Sequence, residues 1–278
     1  MNQSYYVPGE QRAAKVNELF AGIARRYDLL NDIQSLGLHR RWKRRLIQLA
    51  GPRPGLRALD VCCGTGDLAL ALARCGAQTV GLDFSEPMLE VAAEGRRAKG
   101  EASRGAAILA AQSWAKAEVT RGAAILAAES RAKAEEQRAK GEVTRFVRGD
   151  AQRLPFGDGS FDIVTVGYGL RNLANWEAGL REMQRVARPG GRLLVLDFGK
   201  PDAPLWRGLY FGYLRLFVPL LGRVFAGSGS AYAYILESLA HYPAQQALAL
   251  RMRQLGLAKV RVINLLGGVM AIHCAEKQ

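Results

Sequence analysis

The chain has 278 residues, 49% hydrophobic and 23% charged, which suits a globular protein with one large core or two smaller ones and excludes a disordered or fibrous class. A net charge of +14 raises the prospect of an anionic partner, either nucleic acid or a membrane surface. Four cysteines, Cys62, Cys63, Cys75 and Cys274, show neither C-x-x-C spacing nor a Cys/His cluster suited to zinc, and adjacent cysteines rarely pair, so they read as buried thiols, with no zinc site and no disulfide scaffold.

Taken in chain order, the opening "MNQSYYVPGEQRAAKVNELF" lacks a basic start followed by an apolar core, so no secretory signal is evident and a cytoplasmic location is expected. Residues 1–50 read as an N-terminal helical cover. The first 57 residues hold 11 basic and 4 acidic groups, and the densest run, "HRRWKRR" at His39 to Arg45, is either a partner patch or a solvated helix face. Residues 51–278 then alternate strand and helix patterns: strands at Arg57 to Cys62 and Thr79 to Asp83, helices at Asp67 to Arg74 and Glu86 to Glu94.

A repeat interrupts this alternation. "RAKGEASRGAAILAAQS" at Arg97 to Ser113 recurs as "WAKAEVTRGAAILAAES" at Trp114 to Ser130, with a degraded third copy to about Arg145. At about 100° per residue, each step of 17 residues turns the Ile-Leu pairs by roughly 100°, so they form no continuous stripe. Gly95 to Val143 is therefore expected to be a low-complexity insertion within the domain, not a solenoid. Because a crossover helix runs back along the sheet, it should leave from the edge opposite any ligand.

Beyond it come strands at Arg145 to Gly149, Phe161 to Gly167 and Arg192 to Phe198, and helices at Asn175 to Ala187 and Pro243 to Leu255. Strands at Lys259 to Asn264 and Gly268 to Cys274, joined by a short "LLGG" turn, predict a closing hairpin. The pattern predicts an α/β fold: a Rossmann-like, seven-stranded, mostly parallel sheet with an antiparallel edge strand and helices on both faces. Between them, "PLWRGLYFGYLRLFVPLLGRVFAG" at Pro204 to Gly227 is apolar and aromatic, but Arg207, Arg215, Arg223 and Pro219 argue against a spanning helix. It reads as the cover of a substrate pocket, in touch with a bilayer on one face, or as a core helix.

Ligands of such sheets sit at the carboxyl ends of the strands, which places Gly64 to Asp67, Asp83, Asp150 and Gly167 along one edge. Gly64 and Gly66 let backbone approach a ligand, and the helix after them offers free amides to a carboxylate. Asp83 is suited to ribose hydroxyls, since Ser85 can cap the next helix and leave it free, and Asp150 to an adenine amine. An adenosine-bearing ligand follows. Because Gly64, Gly66 and Ala69 also satisfy the G-x-G-x-x-G/A spacing, nicotinamide and S-adenosylmethionine both stand at this point.

The run "LDVCCGTGDLA…VGLDFSEPML…FVRGDAQRLPFGDGSFDIVTVGYGLRN…REMQRVARPGGRLLVLDFGKP" resembles the class I S-adenosylmethionine-dependent methyltransferases, with Asp60 opening the turn and Asp150-Ala151 after the third strand. "YDLLNDIQSLGLHRRWKR", "YGLRNLAN", "YILESLAHYPAQ" and "NLLGGVMAIH" further resemble the quinone-biosynthesis C-methyltransferases, the demethylmenaquinone and polyprenyl-benzoquinol methyltransferases. The departures are Leu30 for a usual methionine, Ala187-Arg188 for an aliphatic-lysine pair, and Asp197 and Gly199 for glutamate and serine.

This resemblance implies S-adenosylmethionine as cofactor, held by Asp60, Gly64, Thr65, Gly66, Asp83, Asp150, Ala151 and Gly167, and C-methylation of a polyprenylated hydroquinol, demethylmenaquinol before benzoquinol. A ring carbon becomes nucleophilic only when the adjacent hydroxyl, of pKa about 10, is deprotonated. Catalytic candidates are Arg171, Asn172 and Tyr168, with Arg171 as phenolate stabiliser. Tyr27, Asp28 and His39 come from the N-terminal cover, His39 reading as structural or surface. No clustered ligand set suggests a metal. A polyprenyl tail implies peripheral membrane contact, at the inner face of the plasma membrane. A nucleic-acid methyltransferase is the rival, but "VGYGLRN" stands where a [DN]-P-P-[FY] motif would.

Overall fold

The computed structural model describes residues 10–98, 144–225, 236–239 and 241–278, so the repeat falls outside the described residues except for its first two, Arg97 and Ala98. Three helices, α1 (Glu10–Ile23), α2 (Tyr27–Ser35) and α3 (Leu38–Ala50), precede the sheet. There follow β1 (Arg57–Val61), α4 (Asp67–Arg74), β2 (Gln78–Asp83), α5 (Glu86–Ala98), β3 (Thr144–Arg148) and β4 (Phe161–Gly167). The chain ends with α6 (Trp176–Val186), β5 (Ala187–Phe198), α7 (Pro204–Phe225), α8 (Gln245–Gln254), β6 (Leu257–Leu265) and β7 (Met270–Lys277).

The strands form one seven-stranded sheet in the order β3-β2-β1-β4-β5-β7-β6. β1 to β5 are parallel, and β7 runs against both of its neighbours, β5 and β6. The reversed strand is thus one in from the edge, because the second arm of the hairpin, not the first, docks on β5. A glycine pair at its turn, Gly267 at φ +62° and Gly268 at φ +92°, permits the reversal.

Alternating side chains divide two cores between the sheet faces. Ala58, Ile163, Leu194 and Leu196 pack with Leu46 of α3, Leu72 of α4 and Tyr210 and Leu214 of α7. Leu59, Val164, Leu193 and Val195 face the other way, onto Leu180 and Met183 of α6 and Leu248 and Met252 of α8. The β4–β5 pairing jumps from Phe161↔Ala187 to Ile163↔Arg192, so "RPGG" is a bulge and the regular ladder begins at Arg192.

The connection order reverses between β1 and β4, which lie side by side, and their carboxyl ends part there into a crevice. α5 runs to Ala98, and Thr144 pairs with Thr79 at the start of β2. Both ends of the repeat therefore attach at the amino edge of the sheet.

Candidate active site

β1 ends in a reversal where Cys62, Gly64 and Gly66 adopt left-handed backbone, at φ +53°, +54° and +83°. The amide of Gly66 donates to the Cys63 carbonyl at 2.9 Å, and that of Gly64 to Asp83 Oδ2 at 2.8 Å. A Cβ on Gly66 would stand 2.8 Å from Phe146 Cζ and 3.0 Å from Ala92 Cβ, so both backbone and packing demand glycine. Asp60 lies behind this turn, 1% exposed. It accepts from Thr165 Oγ1 at 2.7 Å and from the Ala69 amide at 3.1 Å, and so ties the first turn of α4 to β4. Burial pushes its carboxyl up to about 7, against the pull of those two donors and Lys43.

In front of the turn a cleft of about 130 Å³ opens at the carboxyl edge, lined by Gly64, Asp83, Asp150, Ala151 and Gly167, with Tyr168 and Asn172 beside them. Asp60, Thr65 and Gly66 do not reach its wall. Thr65 turns away because its hydroxyl donates to Asp28 Oδ1 at 3.0 Å. Nor is Asp83 free, as the capping argument expects: its oxygens take the Gly64 amide and, at 2.9 Å, the Ser85 amide. Those amides orient the carboxylate, and each oxygen retains a lone pair for a hydroxyl. Asp150 is held likewise by the Gln152 amide at 2.8 Å. At Gly167 a Cβ would meet Leu68 Cδ1 at 2.7 Å, so only backbone faces the cleft there. Two oriented carboxylates, a glycine turn and the apolar side chains of Leu82, Met88 and Leu173 fit the ribose, amine and ring of an adenosine. Val16, Asn17 and Phe20 of α1 also line it, a contribution that no motif signals.

A second, larger cavity of about 520 Å³ lies between the N-terminal helices and α7, walled by Leu30, Trp42, Phe198, Tyr210, Tyr213 and Leu214 among others. Phe20, Tyr27 and Tyr168 line both spaces and form their common wall. α7 is thus a cover: Tyr210 and Leu214 face inward, while Leu205, Leu209 and Leu216 are exposed.

The sequence pattern of the ubiE/COQ5 methyltransferase family matches residues 9–118 and 116–277. The chain belongs to this family. A ubiquinone/menaquinone biosynthesis C-methyltransferase UbiE of Ectopseudomonas mendocina is 38% identical over 96% of this chain and 90% of that protein. A demethylmenaquinone methyltransferase of Desulfitobacterium hafniense is 38% identical over 97% and 92%. Among solved structures, a SAM-dependent methyltransferase of Thermotoga maritima, described as a possible histamine N-methyltransferase, superposes with a TM-score of 0.57 at 16% identity, covering 95% of this chain and all of that one. The mostly parallel α/β sheet expected from the alternation of elements, and the methyltransferase fold that the resemblance implied, are the ones observed.

In this family member the loop after β4 carries "YGLRN" to the common wall. Tyr168 sits at φ +63°, its amide donating to the Leu196 carbonyl at 2.7 Å, and burial pushes its phenol well above the usual range. Arg171 is 7% exposed and lines the apolar cavity. Its Nε lies 3.2 Å from Asp197 Oδ1, one terminal nitrogen donates to Asn172 Oδ1 at 3.0 Å and Ser238 Oγ at 2.8 Å, and the group stacks 4.8 Å from the Phe198 ring centre. Burial pushes the Asp197 carboxyl up and Arg171 opposes it.

The basic run of α3 splits by face. Arg40, Arg41, Arg44 and Arg45 are exposed, whereas Lys43 turns inward to Asp67 at 2.9 Å and His39 is buried. Burial pulls the Lys43 ammonium down but Asp67, Tyr27 and Asp28 outweigh it. Among the cysteines, Cys63 and Cys274 are buried and Cys62 partly so, but Cys75 is exposed, because it follows the last turn of α4 at the surface.

Proposed function

We propose that this chain transfers a methyl group from S-adenosylmethionine to a ring carbon of a polyprenylated hydroquinol, demethylmenaquinol to menaquinol in the first place. The observation that carries this reading is the shared wall: an apolar room of about 520 Å³, large enough for a ring and the start of a tail, meets the adenosine-fitting cleft at Tyr27 and Tyr168. The names of the relatives point the same way, and nothing in the "YGLRN" loop favours a nucleic-acid base.

When bound, S-adenosylmethionine supplies an electrophilic methyl group on a sulfonium. Asp83 and Asp150 would hold its adenosine, and the backbone at Gly64, where no side chain intrudes on the cleft, would face its methionine end. On the acceptor side Arg171 stabilises the phenolate form of the ring hydroxyl, Asp197 keeping the guanidinium in place. Asn172, which donates to the Tyr168 carbonyl at 3.2 Å, fixes the loop so that Tyr168 closes the wall.

The cavity's mouth supports membrane contact. Leu36, Trp206, Leu209 and Leu266 line it and are 85%, 37%, 58% and 51% exposed, and Arg40 and Arg41 stand beside Leu36 in the chain. Such a rim draws a tail from the inner leaflet of the plasma membrane without crossing it, and no described helix is long and apolar enough to cross.

Incubation with labelled S-adenosylmethionine and, separately, demethylmenaquinol and a demethylated benzoquinol tests the reading. Label should enter demethylmenaquinol, and an enzyme that labels neither quinol sinks it. Arg171→Ala with near-normal turnover at saturation would remove the phenolate role, and vesicle binding undiminished in Leu36→Ser/Leu209→Ser would remove the rim.

A further inference from the structure

Neither Arg171 nor Tyr168 can take a proton from a hydroquinol. The first is a cation already bonded to Asp197, and the second is a phenol whose own proton is held more tightly than usual. Asp28 accepts from Thr65 and lines neither space. Some other group must take the proton, and it must face the larger cavity.

His39, the second residue of α3, lines that cavity and is 3% exposed. Its Nε2 lies 2.8 Å from Asp32 Oδ1. Its Nδ1 is buried and has no hydrogen-bond partner among the described residues. Asp32 is gripped by Arg40 as well, through Nε at 2.8 Å and a second guanidinium nitrogen, and Arg40 and then His39 hold its carboxyl well below the usual range. A permanent carboxylate on Nε2 demands the proton on that nitrogen, which leaves the lone pair on Nδ1. The His39 amide donates to Ser35 Oγ at 3.2 Å, fixing the start of the helix. One turn further on, Lys43 stands 5.9 Å from the ring of Tyr168, so this face of α3 runs along the common wall.

We propose that His39, positioned by Asp32, is the base that accepts the hydroquinol proton in the larger cavity, an inference that rests on the quinol reading above. The hydroxyl proton passes to Nδ1. The electron pair released moves through the ring to the ortho carbon, which forms the new bond to the methyl carbon while the carbon–sulfur bond leaves its pair on sulfur. The ring hydrogen at that carbon then departs to water, aromaticity returns, and the oxygen recovers its proton from the imidazolium. One proton is released per turnover, and His39 ends as it began. The geometry suits the task, because burial lowers the pKa of the imidazole even against its bond to Asp32, so the free base prevails at neutral pH. The charged or titratable groups around it are Asp32 and Asp28 on α2, Arg40 and Lys43 on its own helix, Asp67 on α4, and Tyr27 and Arg171 in the cavity wall.

His39→Gln tests this, since its amide nitrogen can keep the bond to Asp32 while Nδ1 is lost. The variant should retain the wild-type melting temperature and S-adenosylhomocysteine affinity, lose about 10²- to 10⁴-fold in kcat, and lose the acid limb of the kcat–pH profile. Asp32→Asn, which leaves His39 in place, should shift that limb and lower kcat less. With 3 histidines in the chain, ¹⁵N spectra of wild type against His39→Gln assign the ring, and Nε2–H with bare Nδ1 is the expected tautomer. A proton on Nδ1 above the ring's pKa overturns the proposal, as does His39→Gln with kcat within about five-fold of wild type and an intact acid limb. A wild-type protein inactive on every hydroquinol overturns the functional reading and the proposal together; an active wild type beside an indifferent His39→Gln overturns the proposal alone.

Discussion

Asp60→Asn isolates the energetic role of the carboxyl behind the glycine turn. The folded protein holds this group at about 7, against 3.8 for an ordinary aspartate, because it is buried. Between those values the folded state binds a proton that the unfolded state has lost, so stability falls as pH rises through the window. The full gap is worth about 4 kcal/mol, of which about 3 kcal/mol develops between about pH 5 and pH 8.5. Asparagine is isosteric and can satisfy both partners: its oxygen accepts from Ala69, its nitrogen donates to Thr165 Oγ1, and that hydroxyl can turn to the Leu59 carbonyl, 3.4 Å away. Urea unfolding of both proteins at the two pH values should show the variant gaining on wild type by about 3 kcal/mol as pH rises. Parallel pH dependences would refute the buried, proton-holding carboxyl. Because Asp60 stays off the cleft wall, S-adenosylhomocysteine affinity should change by less than about three-fold, well short of losing a hydrogen bond to a charged group.

Asp83→Asn, by contrast, removes an oriented charge from the cleft itself and should weaken S-adenosylhomocysteine binding by about 10- to 100-fold in calorimetry, with little change in melting temperature. Gly66→Ala forces a Cβ to 2.8 Å from Phe146 at a backbone of φ +83°, and should cost about 2–4 kcal/mol in urea unfolding; an unchanged midpoint would show that the turn relaxes freely. Replacing Arg97 to Val143 by a short Gly/Ser linker should leave methyl transfer intact, since Ala98 and Thr144 lie at the amino edge of the sheet. A folded but inactive deletion would place the repeat in the reaction.

The succession of strands and helices and the carboxyl-edge position of the cleft are legible in the sequence because parallel strands buried on both faces leave continuous apolar runs, and the glycine turn follows the first of them. The same rule brings Asp83, the last residue of β2, and Asp150, two residues past β3, to the wall of the cleft. What the rule does not carry is which way a side chain near the edge turns. Asp60 and Thr65 sit beside the turn in sequence, but strand alternation sends one into the core, and a cover helix captures the other. His39 is hidden for a different reason. In sequence it heads a basic run, and its Asp32 partner lies seven residues earlier, which along a single helix is two turns and roughly 10 Å away, too far for contact. Only the break at Leu36 and Gly37, with φ of +49° and +73°, folds α2 back on α3 and brings the pair together. The hairpin is legible too, though only pairing shows that β7, not β6, docks on β5.

The common wall of Phe20, Tyr27 and Tyr168 has a kinetic consequence. One chamber opens beside Phe84 and Asp150 at the sheet's edge, the other between Leu36 and Trp206. With separate doors, neither ligand need wait for the other to leave. Initial-rate plots should therefore show random order of addition, with a water-soluble product departing on one side and an oily one on the other, so that spent cofactor is exchanged while the acceptor's tail remains anchored.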